Sequence, residues 1–263
     1  YVFILIQTNC DTRLWYSRLG YLMVASGAAM GLGNIGRFPN HVYQGCGDIL
    51  LNVYIIVVAL MGHPMVEMET AIGRHTGKDT VTAFARISKK WGAAGWIANI
   101  CTLMINMYYV VVGGWVAKYA FQYVVSGDFG SDKQAYYDSF TSSTVEPIIW
   151  AMIILAFVSI MLYFGITNTV EKIAKVMMPV LFALLIICGI WALAVNENAI
   201  AGVKYYLLPD FSKFSFTTFA QAATQVLFSV GIGWGLYVTL GANIPKENNL
   251  KSDAIMVSPF DTA

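Results

Sequence analysis

The sequence predicts an all-α membrane protein, and two observations carry the prediction: the composition and the length of the uncharged runs. Of the 263 residues, 57% are hydrophobic and only 12% are charged, whereas a soluble domain carries about 25% charged residues. The mean hydropathy is +0.61. So few charges cannot cover the water-facing surface of a chain this long, and we therefore expect lipid to surround much of it.

Six stretches without Asp, Glu, Lys or Arg are long enough to cross a bilayer as helices, which takes about 20 apolar residues. A seventh begins near Asp253, and the sequence ends inside it, so we expect a fragment of a longer protein. Residues 150–164 (WAMIILAFVSIMLYF) lack the alternation of barrel strands, and helices are the remaining way to span lipid. The six predicted spans, in chain order, are residues 19–36, 49–66, 91–117, 147–170, 176–196 and 214–245.

Positive charges alternate along the chain and predict its orientation. Lys and Arg concentrate before the first span and in every second connection after it, which is typical of the cytoplasmic side. We therefore predict a multi-pass protein of the plasma membrane with a cytoplasmic N-terminus. A net charge of +1 argues against a nucleic-acid partner. The residues on the positive side are Arg13, Arg18, Arg74, Lys78, Arg86, Lys89, Lys90, Lys172, Lys175, Lys246 and Lys251.

Neither a linker nor a cysteine framework divides the chain. The longest polar connection, residues 127–146, is predicted to be an outer loop, and residues 1–263 are predicted to form one transmembrane domain. None of the four cysteines lies in a C-x-x-C pair, so small buried hydrophobes are favoured over a disulfide or metal framework.

Two of the six spans contain glycine clusters. Residues 26–34 read SGAAMGLGN and residues 229–235 read SVGIGWG, and each glycine costs a helix about 1 kcal/mol relative to alanine. The clusters predict unwinding, which lipid tolerates only where the freed backbone lines a cavity or binds a ligand. Close packing of small residues, at the spacing of Gly27 and Gly31, is the alternative. Breaks in the first and sixth spans are five helices apart, as a five-helix inverted repeat would place them.

Residues 31–36 (GLGNIG) also match the G-x-G-x-x-G fingerprint of dinucleotide-binding folds. That fold needs a strand before the motif, a helix after it and an acidic residue about 20 positions on. Here Pro39 follows closely, and Asp48 and Glu67 are poorly spaced. We therefore reject the dinucleotide interpretation.

The motifs around the first break resemble those of a known family. SRLG at 17–20, GLGNI at 31–35 and RFP at 37–39 resemble the helix 1 signature of the neurotransmitter:sodium symporter family, in particular its bacterial amino-acid:sodium symporters. Further matching positions, which extend the resemblance over nearly the whole chain from about Trp15, are Pro64, Glu69, Gly73, Arg74, Tyr108, Tyr109, Gly114, Trp115, Lys175, Met178, Pro179, residues 208–211, Gln225, Phe228, Ser229, residues 233–235, Asp261 and Thr262.

The resemblance implies a five-helix inverted-repeat transporter fold with unwound helices 1 and 6. The fold would be incomplete here, with about six helices plus the start of a seventh. The first repeat would cover about residues 15–196, and the second would begin at about 214–263. The implied function is sodium-coupled symport of an amino acid by alternating access.

A substrate site between helices 1, 3 and 6 follows from the resemblance. The substrate carboxylate would meet Tyr109 and the amides of the first break, and its ammonium group would meet nearby carbonyls. Gly31 stands where amine-transporting members carry an aspartate, which favours amino acids. Gly231 removes bulk, which predicts a large apolar or aromatic substrate. The implied substrate residues are Ala28, Ala29, Gly31, Leu32, Gly33, Ile105, Tyr109, Phe228, Ser229, Gly231 and Trp234.

The resemblance also implies two sodium sites and an outer gate. One sodium would bind the Ala29 carbonyl, Asn34, Ser229 and Asp261, and the other would bind the carbonyls of Gly27 and Met30, with further ligands beyond this sequence. Tyr54, Gln225 and Ser229 fit the family's chloride site, but Asp261 could replace the anion, so chloride is not expected to be required. Arg37 and Gln225 would form the outer gate above Tyr109 and Phe228, and Glu69 would pair inside the bundle.

Four positions depart from the family pattern. Thr12 stands where the inner-gate arginine is expected, Gly36 where a large residue precedes the arginine, and Thr169 where a glycine precedes Pro179 by ten positions. Asp48 lies in a divergent stretch. They leave open a non-transporting or inactive relative that acts as an amino-acid sensor or a membrane assembly partner. A membrane enzyme is disfavoured because no Ser/His/Asp or metal-ligand constellation is present.

Overall fold

The structure is a computed structural model that describes residues 17–31, 33–43, 47–130, 132–165, 169–196, 199–208, 211, 214–245 and 248–262, without the side chains of residues 47, 48, 206 and 258–262. Within these residues the regular structure is helical. The helices are α1 (Arg18–Ala29), α2 (Phe38–His41), α3 (Gly47–Val57), α4 (His63–Thr76), α5 (Thr80–Ile87), α6 (Gly92–Ser126), α7 (Lys133–Ser142), α8 (Glu146–Tyr163), α9 (Glu171–Val195), α10 (Ala199–Leu207), α11 (Phe216–Val230), α12 (Leu236–Gly241) and α13 (Leu250–Thr262).

The predicted helical membrane architecture is confirmed. Among the described residues, four helices are long and apolar enough to cross a membrane: Ile49–Thr76, Lys89–Ser126, Glu146–Tyr163 and Glu171–Val195. The first of these joins α3 and α4 through a π-helical turn, Val58–Gly62. A fifth span results if α1 and the segment Gly33–His41, which are bent by 46°, count as one. The sixth predicted span is the pair α11 and α12, and the seventh begins with α13.

Several predicted span ends are wrong, because charged residues were taken as helix limits. The second span continues past Glu67 and Glu69 to Thr76. The fifth begins at Glu171, whose buried carboxylate accepts a 2.7 Å hydrogen bond from Lys175. A charge that pairs inside the bundle does not end a helix.

Three further predictions from the sequence are corrected. The third span extends to Ser126 rather than residue 117, and the fourth ends at Tyr163 rather than residue 170. The predicted outer loop, residues 127–146, contains α7. Cys101 and Cys188 are exposed rather than buried, and Cys10 and Cys46 lie outside the described residues.

The core lies where α1, α3, α4, α11, α12 and α13 meet. Tyr21, Val66, Val226, Tyr237 and Val257 are each at most 1% exposed there. In contrast, α8 has no buried residue, and its outward side chains are apolar. A helix that is apolar all round yet unburied by protein is typical of contact with lipid.

The N-terminal end of α1 is anchored to two other helices. Ser17 caps α1 by accepting a 3.0 Å hydrogen bond from the Gly20 amide, and its hydroxyl donates to Glu171 of α9 at 3.3 Å. Arg18 donates to Asp253 of α13 through Nε at 2.6 Å and to Ser252 through Nη2 at 2.7 Å. These contacts fix where α1 enters the bundle. Thr12, where the family's inner-gate arginine is expected, lies outside the described residues.

Candidate ligand-binding site

The two breaks and α6 enclose one cavity of about 310 Å³. This volume is at the lower end of the range for small-molecule sites. The cavity is lined by Gly27, Ala28, Ala29, Gly31, Gly33, Asn34, Thr102, Ile105, Asn106, Tyr109, Phe228, Ser229, Trp234 and Leu236.

Most residues predicted to hold a substrate lie around this cavity. Leu32 lies outside the described residues. Gly231 is not among the lining residues: it ends α11 with a φ of +80°, and a Cβ added there would lie 3.4 Å from Leu236. It therefore shapes the break rather than the cavity wall. The predicted residues that line the cavity are Ala28, Ala29, Gly31, Gly33, Ile105, Tyr109, Phe228, Ser229 and Trp234.

Three lining residues were missed by sequence reasoning. Thr102 and Asn106 lie seven and three positions before Tyr109 on α6, so all three share one helical face. That spacing could have revealed them. Leu236 directly follows the second break, and no pattern in the sequence indicated that it would line the cavity.

No Asp, Glu, Lys or Arg side chain is among the lining residues that the structure describes. The polar groups are backbone atoms, hydroxyls and amides. At Gly31 an added Cβ would lie 3.6 Å from the Tyr109 hydroxyl oxygen. The glycine thus leaves space beside that hydroxyl, where a ligand's polar group can approach.

The first break, between Ala29 and Gly33, has carbonyl groups that receive no backbone hydrogen bond from the described residues. The Met30 amide donates to Ser26 at 2.8 Å, and the Asn34 amide donates to Gly31 at 3.1 Å. No backbone amide of the described residues donates to the carbonyls of Gly27, Ala29 or Met30. Carbonyls at the C-terminal end of a helix carry partial negative charge, so this end of α1 suits a cation.

The second break, residues 231–235, depends on glycine. Gly231, Gly233 and Gly235 have φ values of +80°, +84° and +74°, a left-handed region that other residues rarely adopt. At Gly235 an added Cβ would also collide with Thr80. The sequence therefore fixes both the position and the shape of this break.

Side chains from three other elements hold the backbone of the second break. The Gly233 amide donates to Glu69 of α4 at 2.6 Å. Thr102 of α6 donates to the Trp234 carbonyl at 2.6 Å. Thr80 of α5 donates to the Gly235 carbonyl at 2.9 Å. Three backbone groups of the second break thus have side-chain partners.

The four residues predicted to form a gate lie together beside the cavity. The Arg37 guanidinium lies 5.3 Å from the centroid of the Phe228 ring, and the Tyr109 ring stacks on Phe228 with centroids 6.4 Å apart. The Gln225 amide, which is buried, donates to the Gly33 carbonyl at 3.4 Å. Arg37 also donates to His41 at 3.2 Å. A smaller cavity of about 180 Å³ touches Arg37, His41 and Gln225.

Part of the first predicted sodium site is assembled. The Ser229 hydroxyl donates to the Asn34 side-chain carbonyl, and both residues line the cavity next to Ala29. The side chain of Asp261 lies outside the described residues. Of the second predicted site, Gly27 lines the cavity and Met30 is 8% exposed. Oxygen atoms of this kind suit a hard cation.

The remaining predicted residues lie as follows. Tyr54 is buried in the core, with its ring centroid 5.0 Å from that of Phe38. An added Cβ at Gly36 would meet no atom within 4 Å, so the position does not itself require glycine. Thr169 lies two residues before the start of α9, and its amide donates to Gly165 at 3.0 Å. The side chain of Asp48 lies outside the described residues.

A multi-pass membrane bundle whose two broken helices share one uncharged cavity defines a class of transporter. A sequence model of the sodium:neurotransmitter symporter family matches residues 12–127 and 138–263, and the chain belongs to this family. It is a family of transporters, not of enzymes.

Comparison with individual proteins agrees with this assignment. The chain is 34% identical over 256 residues to an uncharacterized sodium-dependent transporter of Methanocaldococcus jannaschii, covering 93% of this chain and 52% of that protein. It is 25% identical to the mouse sodium-dependent neutral amino acid transporter B(0)AT2, covering 96% of this chain and 39% of that protein.

A solved structure, that of MhsT in complex with L-phenylalanine, matches with a TM-score of 0.88 and 29% identity, covering 96% of this chain and 58% of that one. The match confirms the predicted fold class. The chain spans about half the length of these relatives.

Proposed function

We propose that the protein carrying this chain is a sodium-coupled symporter of a neutral amino acid, with a large apolar or aromatic side chain. It would work by alternating access in the plasma membrane, with its N-terminus in the cytoplasm. The observation that carries the proposal is the cavity without charged side chains between two helix breaks.

An amino acid brings one positive and one negative group, and this cavity offers partial charges of both signs. The segment that begins at Gly33 presents the N-terminal end of a helical segment, which favours a carboxylate. The ends of α1 and α11 present carbonyls, which favour an ammonium group. A ligand with net charge would be left without a counter-ion, so a zwitterion fits best.

The apolar residues that line the cavity favour a substrate with a large side chain. Phe228 and Trp234 pack edge to face with ring centroids 5.4 Å apart, and Ile105 and Leu236 add aliphatic surface. Burying an aromatic or branched side chain against such a wall contributes about 1.5–3 kcal/mol. The relative solved with L-phenylalanine and the mouse neutral amino acid transporter point in the same direction.

Sodium would be the coupling ion, bound at two sites. The unpaired carbonyls of Ala29, Gly27 and Met30, with Asn34 and Ser229, supply oxygen ligands next to the substrate cavity. Because these ligands and the substrate share the first break, binding of one would order the backbone for the other. The family's sodium dependence supports this assignment.

Chloride would not be required, because Asp261 would supply the negative charge near the first sodium. Replacing chloride with gluconate should then leave uptake unchanged. Loss of uptake in gluconate would overturn this part of the proposal. Asp261→Asn should in turn make uptake depend on chloride.

The direct test is binding of labelled neutral amino acids to the complete protein, in sodium and then in potassium. Binding in sodium only, lost in Gly31→Asp, would support the proposal, because the new carboxylate would take the place of the substrate's own. Absence of sodium-dependent binding would overturn it. Sodium-dependent binding without uptake into liposomes would instead indicate an amino-acid sensor.

A further inference from the structure

One polar side chain in the cavity is not used by the breaks, the gate or the ion ligands. Asn106 lies near the middle of α6, a helix of 35 residues, and lines the cavity beside Ile105. Its side-chain amide makes no hydrogen bond to the described residues, and the residue is only partly buried. An amide at this depth in a membrane helix is costly unless a partner reaches it.

The neighbouring polar group on the same helical face has a different role. Thr102, four residues earlier, donates its hydroxyl to the Trp234 carbonyl at 2.6 Å, so it is committed to the second break. Tyr109, three residues later, stands at the end predicted to hold the substrate carboxylate. Asn106 therefore lies between the hydroxyl bonded to the second break and the end predicted to hold the carboxylate, where a substrate's side chain can meet it.

We infer that Asn106 determines specificity by hydrogen bonding to a polar group on the substrate's side chain, and so favours tyrosine over phenylalanine. This rests on the proposed function and narrows its substrate class. A side-chain amide can donate and accept hydrogen bonds, and a phenolic hydroxyl can therefore pair with it as acceptor or as donor. With phenylalanine, the Asn106 amide stays unpaired against the ring.

The test is sodium-dependent competition by phenylalanine and tyrosine, which differ by one hydroxyl, against a labelled neutral amino acid on the complete protein. The wild type should prefer tyrosine by about fivefold, which corresponds to one net hydrogen bond of about 1 kcal/mol. Asn106→Leu should abolish or reverse that preference while phenylalanine still competes.

A matched control exists on the same helix. Asn99 lies seven residues, or about two turns, before Asn106 and does not line the cavity. Asn99→Leu should leave the preference unchanged. Equal competition by both amino acids in the wild type, or an unchanged preference in Asn106→Leu, would overturn the inference. If neither binds in sodium, the proposed function fails instead.

Discussion

The break after α1 and the break after α11 both face the cavity, yet their backbone groups have different partners. In the second break, Glu69, Thr102 and Thr80 bind one amide and two carbonyls. In the first, Gln225 donates to the Gly33 carbonyl, and the described residues donate no backbone hydrogen bond to the carbonyls of Ala29 or Met30.

The difference indicates a division of labour between the two breaks. A buried backbone group without a partner costs about 1–3 kcal/mol, so side chains that bind the backbone of a break stabilise it. A carbonyl that no described residue binds can gain a partner from a ligand. We therefore propose that the second break is the more rigid of the two, and that the first is the part that sodium and substrate order.

The largest expected effect on stability concerns the N-terminal end of α1, where Arg18 binds Asp253 of α13. Asp253 has a side chain only 1% exposed, whereas Arg18 is 43% exposed. Arg18→Ala would leave that carboxylate buried without its cation, at a cost of about 3 kcal/mol, the lower end for a buried pair. The thermal unfolding temperature should fall equally in sodium and in potassium.

Two variants control that measurement. Asp253→Asn keeps an acceptor for Arg18 and should lose less stability. Lys133→Ala, on the exposed α7, should lose none. An unfolding temperature of Arg18→Ala within error of the wild type would show that α1 is not anchored there.

Glu69→Leu should be next in size, because it removes the acceptor of the Gly233 amide. We expect a loss of about 1–3 kcal/mol, seen as a lower unfolding temperature without ligand, while Glu69→Gln keeps an acceptor and stays near the wild type. Glu67→Leu is the matched control, two residues earlier on α4. If Glu69→Leu and Glu67→Leu were equally stable, the second break would not depend on this bond.

Thr102→Val removes a hydroxyl while keeping the shape, and it leaves the Trp234 carbonyl without that partner. A loss of about 1 kcal/mol is expected. Thr224 is the matched control: it is exposed and bonds only within its own helix, to Ala220 at 2.8 Å. Similar melting curves for Thr102→Val and Thr224→Val would show that the Thr102 hydroxyl of α6 does not stabilise the second break.

Asn34→Ala should have the smallest effect on the protein without ligand. Its side chain is predicted to serve sodium but also accepts a hydrogen bond from Ser229, so the unfolding temperature in potassium should fall by no more than it does in Thr102→Val. Sodium at 100 times its dissociation constant should stabilise the wild type by about 2.7 kcal/mol, and this stabilisation should disappear in Asn34→Ala. Asn99→Ala should retain that stabilisation. A variant of Asn34 that still responds fully to sodium would place the ion elsewhere.

Sequence patterns predicted the breaks because glycine clusters have a local cost that only unwinding or close packing explains. The residues of the cavity and the gate were implied by the resemblance to the family. The bonds from Thr80 and Thr102 to the second break had no such signal. Their partners lie 155 and 132 residues away, and a lone threonine on a helix looks ordinary.

Several span ends were predicted wrongly for a related reason. The second predicted span stopped before Glu67 and the fifth began after Lys175, because a charge facing lipid would end a span. Both helices extend further, and they include Glu69 and Glu171, which are buried and bonded inside the bundle. Whether a charge faces lipid or a partner depends on tertiary packing, which a local pattern does not contain.

Hydrogen–deuterium exchange of the complete protein tests the division between the two breaks most directly. Without sodium and substrate, the Gly233 amide, which donates to Glu69, should already be protected, while the amides of Gly31 and Gly33, which have no backbone acceptor among the described residues, should exchange quickly. Adding sodium and a neutral amino acid should slow exchange at Gly31 and Gly33 alone. Fast exchange at Gly233 without ligand, slowed equally by ligand, would show that both breaks are ordered by the ligand and would contradict the account.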